Sequence, residues 1–503
     1  MARFKDYDYN QSKLIPIRYA DQILPGSFEY TVNYLIDNEI DMSVFNHWFK
    51  NDDIGAPAYD PALLLKIILV AYSRGVTTSR RIERLCRENI VFMALSADSQ
   101  PHFTTIANFI SRMQDTIRSI FVDVLLTCNE SGLIGGDMFA IDGCKLPSNA
   151  SKEYSGTKAN FKKKVNKMDL AVRRMLSKHR EEDQSPDEVD AGRREREQNQ
   201  IAKLRKTARK IRQFTKDMED RKGISGNIVN SNITDNDSAT MKTPHGTVQG
   251  FNGVTAVDPK HQVIVAAEAF GQGPENNLLA PLVEQVRHNL GDEYVANTAI
   301  TADSGFHSQA TLMYCQEHQL NAYIADGNYR KRDPRFKDRD RFQPKERQRQ
   351  QFSVDDFSFD SHTNQCHCPA GNSMWYRGER ERYGNRYKTF VGRLKDCRHC
   401  PLQKRCLRKP PTDRGRQVAI KLDQSNPHQP TVIQQMKNKI DSDQGRDIYS
   451  QRLGTVEPPF GNINFNKRLD YFTLRGKEKV NAQWMIFCLV HNIEKIMNYG
   501  AVA

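Results

Sequence analysis

Apolar residues recur at helical spacing from about position 20 to position 130. Leu63, Leu64, Ile67, Ile68 and Ala71 form one stripe. Asp60-Pro61 ahead of it supplies an N-cap and a proline at the first helical position, and Gly75 supplies the stop. Thr78-Ser79 opens a second helix through Asn89, and Thr104-Thr105 opens a third carrying Phe109, Met113, Ile117, Ile120 and Phe121. Short helices joined by tight turns fit a helix-turn-helix-like module whose Arg80, Arg81, Arg84 and Arg87 face a phosphate backbone. They fit a helical bundle with a solvated basic face equally well.

From Met138 the period changes to that of strands. Phe139-Ala140-Ile141 is an apolar run closed by Asp142-Gly143, and Thr298-Ala299-Ile300-Thr301-Ala302 is closed by Asp303. Both acids are therefore expected at strand ends. Between them, Gly246 to Ala256, the turn Asp258-Pro259-Lys260 and Gln262 to Phe270 read as a hairpin, followed by a helix from Asn277 to Leu290. A helix at Gln309 to His318 and a strand at Asn321 to Ala325 follow the second acid. The fold class is α/β: a mixed sheet flanked by helices, with an all-α N-terminal domain and two insertions. One insertion, residues 152–222, has the period of a helical hairpin broken at Ser185-Pro186-Asp187; the other, residues 327–420, is basic, irregular and cysteine-rich. The chain is helical from about Thr431. Glu457, followed by two prolines, is expected at or just before a helix start, and Asn481 to Asn498 reads as amphipathic. The expected domains are 1–132 (helical, for nucleic-acid binding or dimerisation), 133–326 (first part of the core), 327–425 (cysteine-rich insertion) and 426–503 (helical end of the core).

The 503 residues carry a net charge of +13 and a pI near 9.1, which favours a polyanionic partner. The charge is concentrated. Between Lys152 and Lys222 there are 22 Lys and Arg against 13 Asp and Glu, and Arg330 to Arg349 holds ten against four. No apolar stretch of 18 residues is present, and the first residues lack the apolar core of a signal peptide, so a cytoplasmic protein without a membrane partner is expected. Ten cysteines in such a setting are expected to be reduced.

Asp142, Asp303 and Glu457 form an ordered set: an acid on the first strand, an acid after the strand that follows hairpin and helix, and a late helical glutamate. That order is the arrangement of RNase H-like polynucleotidyl transferases, in which two divalent ions share such carboxylates. Hard ions such as Mg²⁺ or Mn²⁺ suit oxygen ligands. Around the acids, Phe139-Ala140-Ile141-Asp142-Gly143-Cys144-Lys145-Leu146-Pro147-Ser148-Asn149, Thr301-Ala302-Asp303-Ser304-Gly305-Phe306-His307-Ser308 and Tyr449-Ser450-Gln451-Arg452-Leu453-Gly454-Thr455-Val456-Glu457 resemble the three motifs of bacterial insertion-sequence DDE transposases of the cut-and-paste type. The resemblance covers nearly the whole chain. It implies that Asp142, Asp303 and Glu457 hold two Mg²⁺ or Mn²⁺ ions, that Tyr449 and Arg452 contact DNA phosphate, and that double-stranded DNA at the element ends and the target is cut and joined by at least a homodimer. One position departs from the pattern: many relatives have lysine where this chain has Asn464, and Lys467 and Arg468 are the nearest substitutes. The other readings are a catalytically inactive DNA-binding derivative and a stand-alone RNase H-like nuclease.

Cys366-His367-Cys368, Cys397-Arg398-His399-Cys400 and Cys406 place five thiols within 41 residues. A Cys-x2-Cys pair is half of a usual tetrahedral zinc site. The expected ligands of a structural Zn²⁺ are Cys368, Cys397, Cys400 and Cys406, with Cys366 as the alternate. An iron–sulfur cluster or free thiols are the other outcomes. Trp375 and Tyr376 interleave there with arginines, which suits stacking on distorted DNA ends or a small aromatic core.

Overall fold

A computed structural model of the protein describes residues 16–49, 57–184, 191–223, 226–244, 246–338, 351–360, 363–382, 385–421 and 431–500. The chain forms two compact units, residues 1–325 together with 443–503, and residues 326–442.

The first unit opens with helices α1 (Phe28–Asn38), α2 (Pro61–Ser73), α3 (Ser79–Glu88), α4 (Ile90–Leu95), α5 (Phe103–Arg112) and α6 (Ile117–Glu130). The cap expected for α2 forms: Asp60 Oδ1 accepts the Ala62 N–H at 2.8 Å, and Gly75 takes a φ of +68° just past the helix end. The single helix expected from Thr104 is two, because a 3₁₀ turn at Met113–Asp115 bends the chain between α5 and α6. Of the α3 arginines, Arg80 lies over the Phe103 ring at 4.7 Å, while Arg84 and Arg87 pair with Glu88 and Glu83.

The sheet follows, built from β1 (Met138–Pro147), the short β2 (Ser155–Gly156) and β3 (Ser231–Asn232) that pair with each other, β4 (Ala239–Thr243), β5 (Gly246–Val257), β6 (Ile264–Phe270), β7 (Ala299–Ala302) and β8 (Ala322–Ile324). Its central order is β6-β5-β1-β7-β8, and β4 continues along β5. β6, β5 and β1 run antiparallel, whereas β1, β7 and β8 run parallel. β5 and β6 form the expected hairpin, and helix α11 (Gln309–Glu317) makes the crossover from β7 to β8. Between β2 and β3, α7 (Lys158–Glu182) and α8 (Ala191–Asp217) form a hairpin around Phe161, Val165, Ala208, Ile211 and Met218. Arg193–Glu182 and Arg212–Asp169 tie its two helices, and the Ser185-Pro186-Asp187 break lies outside the described residues. α9 (Leu279–Leu290) and α10 (Asp292–Asn297) lead from β6 to β7.

The second unit is not irregular, as its composition suggested. α12 (Tyr329–Arg332) is tied by an Arg332–Asp441 ion pair of 2.6 Å to α15 (Val432–Asp441). Between them β9 (Ser358–Asp360), β10 (Gln365–His367), β11 (Ser373–Arg382), β12 (Asn385–Val391) and β13 (Gln417–Lys421) form an antiparallel sheet. Short helices α13 (Leu394–Arg398) and α14 (Gln403–Cys406) interrupt it. Phe357, Cys366, Met374, Phe390 and Val418 form its core, and five widely spaced apolar positions in a basic background give too little periodicity to read.

The first unit is completed by α16 (Asp443–Gly461), a π-helical turn at Asn462–Asn466 and α17 (Lys477–Tyr499). Glu457 does not start a helix: α16 runs through it and through Pro458 and Pro459. A proline inside a helix strands the carbonyl four residues back. Here Gly454, four before Pro458, has its carbonyl filled by the Gln262 side chain at 3.2 Å. α17 is not amphipathic but buried almost all round from Val480 to Ile493, between the sheet and the N-terminal helices. Each such apolar side chain contributes about 1.5–3 kcal/mol. Its polar residues cover the outer edge of β6. Asn492 accepts the Ile264 N–H and donates to the Ile264 carbonyl, and Asn481 accepts the Ala269 N–H.

Candidate active site

The parallel register of β1 and β7 pairs Ile141 with Ala302, so the next residues, Asp142 and Asp303, stand side by side. β7 stops at Ala302, but β1 continues to Pro147 along β5, so Asp142 lies within its strand and not at its end as expected. Each carboxylate is held by a nearby N–H: Gly143 donates to Asp142 Oδ1 at 2.8 Å, and Gly305 to Asp303 Oδ1 at 2.7 Å. Burial raises the Asp142 carboxyl above the usual range; the Asp303 charge adds to this, and Arg452 opposes it.

Arg452 reaches Asp142 from α16, its Nη1 donating to Oδ2 at 2.6 Å. It is buried, its Nε has no hydrogen-bond partner, and the Tyr449 ring lies 5.8 Å from the guanidinium. Glu457 is exposed farther along the same helix. Lys467 is buried and pairs with Glu494, whereas Arg468 is exposed with a φ of +56°. Asn464 is half-buried, with no hydrogen-bond partner at Oδ1. Cys144 is half-buried, and burial raises its thiol, with the Asp142 charge adding to the effect.

A third carboxylate stands here that sequence reasoning missed. Glu275, from the turn between β6 and α9, accepts the Asn252 side-chain N–H at 3.0 Å and pairs with Lys145 at 3.4 Å. Burial raises its carboxyl, and the charges of Asp303 and Asp142 raise it further, against Lys145 and Asn252. Its only local signal is an acid in a Gly-Pro turn that follows the hairpin.

In the second unit, Cys368, Cys397, Cys400 and Cys406 line one cavity of about 30 Å³. Gly392 and Gly415 cradle Cys397, where an added Cβ would come within 3.0 and 2.6 Å of Sγ. Burial raises the Cys397 and Cys406 thiols, and the neighbouring thiols raise them further. Cys366, the alternate, does not line that cavity: it is buried in the adjoining core with its Sγ 3.9 Å from the Met374 sulfur. Among the described residues, no three His, Cys, Asp or Glu are already grouped as a metal cage. Both donor sets nevertheless fit by chemistry, hard oxygens at Asp142 and Asp303 and soft thiols about the cavity.

Comparison with known families matches residues 367–497 to the Transposase DDE domain and residues 18–112 to the Transposase domain (DUF772). Together they support an insertion-sequence DDE transposase. The transposase match at 367–497 contains Glu457 and the four cavity cysteines, and the one at 18–112 covers α1 to α5. Both indicate a function in transposition. No curated protein matches the chain. No described helix is long and apolar enough to cross a membrane.

Proposed function

We propose that the protein cuts DNA at the ends of an insertion sequence and joins those ends to target DNA, on an RNase H-like core in which Asp142, Asp303 and Glu457 hold two Mg²⁺ or Mn²⁺ ions. The observation that carries this reading is the register that puts Asp142 beside Asp303, with a buried arginine against them. The strand order, three antiparallel strands followed by two parallel ones, supports the core assignment.

In the first step a water oxygen bonds to the phosphorus, the bond to the 3′ oxygen breaks, and the proton balance is met by one proton leaving the water and one reaching the departing oxygen. In the second step the new 3′-hydroxyl attacks a target phosphodiester and the target's own 3′ oxygen leaves. Divalent ions, when bound, supply a lowered pKa for the attacking group and charge for the leaving oxygen. Asp142 and Asp303 fix where such cations sit. Arg452 and Tyr449 are the proposed phosphate contacts, the arginine through its planar fork, and Arg468 offers an exposed charge. Lys467 acts through the fold by holding Glu494. Joining two ends requires two active sites, hence a homodimer or higher oligomer on DNA.

Cleavage of DNA bearing the element's terminal repeats tests this. Activity with Mg²⁺ or Mn²⁺ should fall at least about a hundredfold in Asp142→Ala while DNA binding persists. Unchanged cutting by that variant contradicts the assignment. Binding without cutting by the wild type favours an inactive derivative, and cutting without joining favours a stand-alone nuclease.

The four cavity cysteines are proposed to hold one structural Zn²⁺, pinning α13 and α14 to the small sheet. Elemental analysis should find one zinc per chain, lost in Cys397→Ser. A metal-free wild type, or iron in its place, refutes zinc.

A further inference from the structure

We infer that Glu275 is a further carboxylate of the cation pocket, in addition to the three acids named above, binding the same divalent ion as Asp142 and Asp303; this rests on the reading above. Three observations carry it. The β1–β7 register sets Asp142 beside Asp303, and the turn after β6 brings the Glu275 carboxylate to the same Gly305 backbone that holds Asp303. Gly305 makes the approach possible, because a Cβ there would collide with Glu275 Oε2 and stand 2.9 Å from Asp303 Oδ1. Asn252, opposite Lys145 in the β1–β5 register, is fully buried between Gly143 and Glu275: its amide N–H holds Glu275, yet its Oδ1 has no hydrogen-bond partner.

An orphaned buried amide oxygen is costly unless a ligand or its water fills it. The charges point the same way. Asp142, Asp303 and Glu275 face two cations, Arg452 and Lys145, so these five groups when ionised sum to −1, before the Glu457 carboxylate assigned above to the same ions is added. A divalent ion supplies the missing positive charge. Lys145 is a positioning residue: its pair with Glu275 holds the carboxylate toward Asp303.

Mn²⁺ binding to the full chain, followed by electron paramagnetic resonance, separates ligand from scaffold. Glu275→Gln keeps the shape and the hydrogen-bonding capacity but removes the charge. Mn²⁺ affinity should fall about ten- to a hundredfold, while the metal-free protein melts no lower than wild type because repulsion is relieved. Glu275→Asp should recover part of the affinity. Unchanged Mn²⁺ affinity in Glu275→Gln overturns the inference, as does a lowered metal-free melting temperature with unchanged binding. Asp142→Asn keeps this failure apart from that of the wider reading. If Asp142→Asn loses Mn²⁺ while Glu275→Gln keeps it, only the role of Glu275 fails; if both keep it, the metal-dependent mechanism fails too.

Discussion

Gly305 is required by what surrounds it and not by its backbone. A methyl group at that position meets two carboxylates at once, Glu275 and Asp303. Gly305→Ala should therefore cost about 1–3 kcal/mol of stability through overpacking and depress cleavage, because both acids must shift. Urea denaturation beside the cleavage assay checks this, and an unchanged midpoint with full activity would remove Gly305 from the argument. The two aspartates were legible because an apolar run ending in an acid and a glycine is a local signal. Glu275 was not, since its nearness to Asp303 depends on where the β6–α9 turn lands. Nor could sequence foresee that Arg452 meets Asp142 across 310 positions, or that Lys467 would be spent on Glu494 inside the fold.

At the level of elements, caps and hairpins were readable where one residue decides them, as at Asp60 and Gly75. They failed where a tertiary partner decides. α16 passes through two prolines, and a glutamine 192 positions earlier serves one of the stranded carbonyls, that of Gly454; no local rule carries that information. α17 read as amphipathic from its polar residues, but Asn481, His491 and Asn492 are polar because they bond the loop and edge strand beside them. His491 hydrogen-bonds the Gln262 carbonyl and the Asn462 amide, and its burial pushes the imidazole pKa down from 6.5 to about 3. Below pH 6.5 the unfolded chain takes up a proton that the folded chain refuses until about pH 3. Stability is thus full above pH 6.5 and lost as pH falls toward 3, by up to about 1.4 kcal/mol per pH unit from this residue. Urea midpoints of wild type and His491→Gln at pH 7 and 5.5 should diverge in slope, the wild type losing more. Parallel pH dependences would show that the histidine accepts its proton in place.

The whole molecule is two units whose sequences were unequally informative. The larger declares itself through the switch from helical to strand period and through long apolar strands. The smaller hides a five-stranded sheet under basic residues, and only its cysteines gave it away. Asp142 and Asp303 are 161 positions apart in the chain and become neighbours only when β1 and β7 pair, so a cation shared by them requires the assembled sheet. Iron-generated hydroxyl radicals test that directly. With Fe²⁺ in place of Mg²⁺ and ascorbate present, backbone scission should appear around both residue 142 and residue 303, and excess Mg²⁺ should suppress both cuts together. Scission at one of these segments without the other, or cuts that ignore Mg²⁺, would contradict a cation shared by the two aspartates.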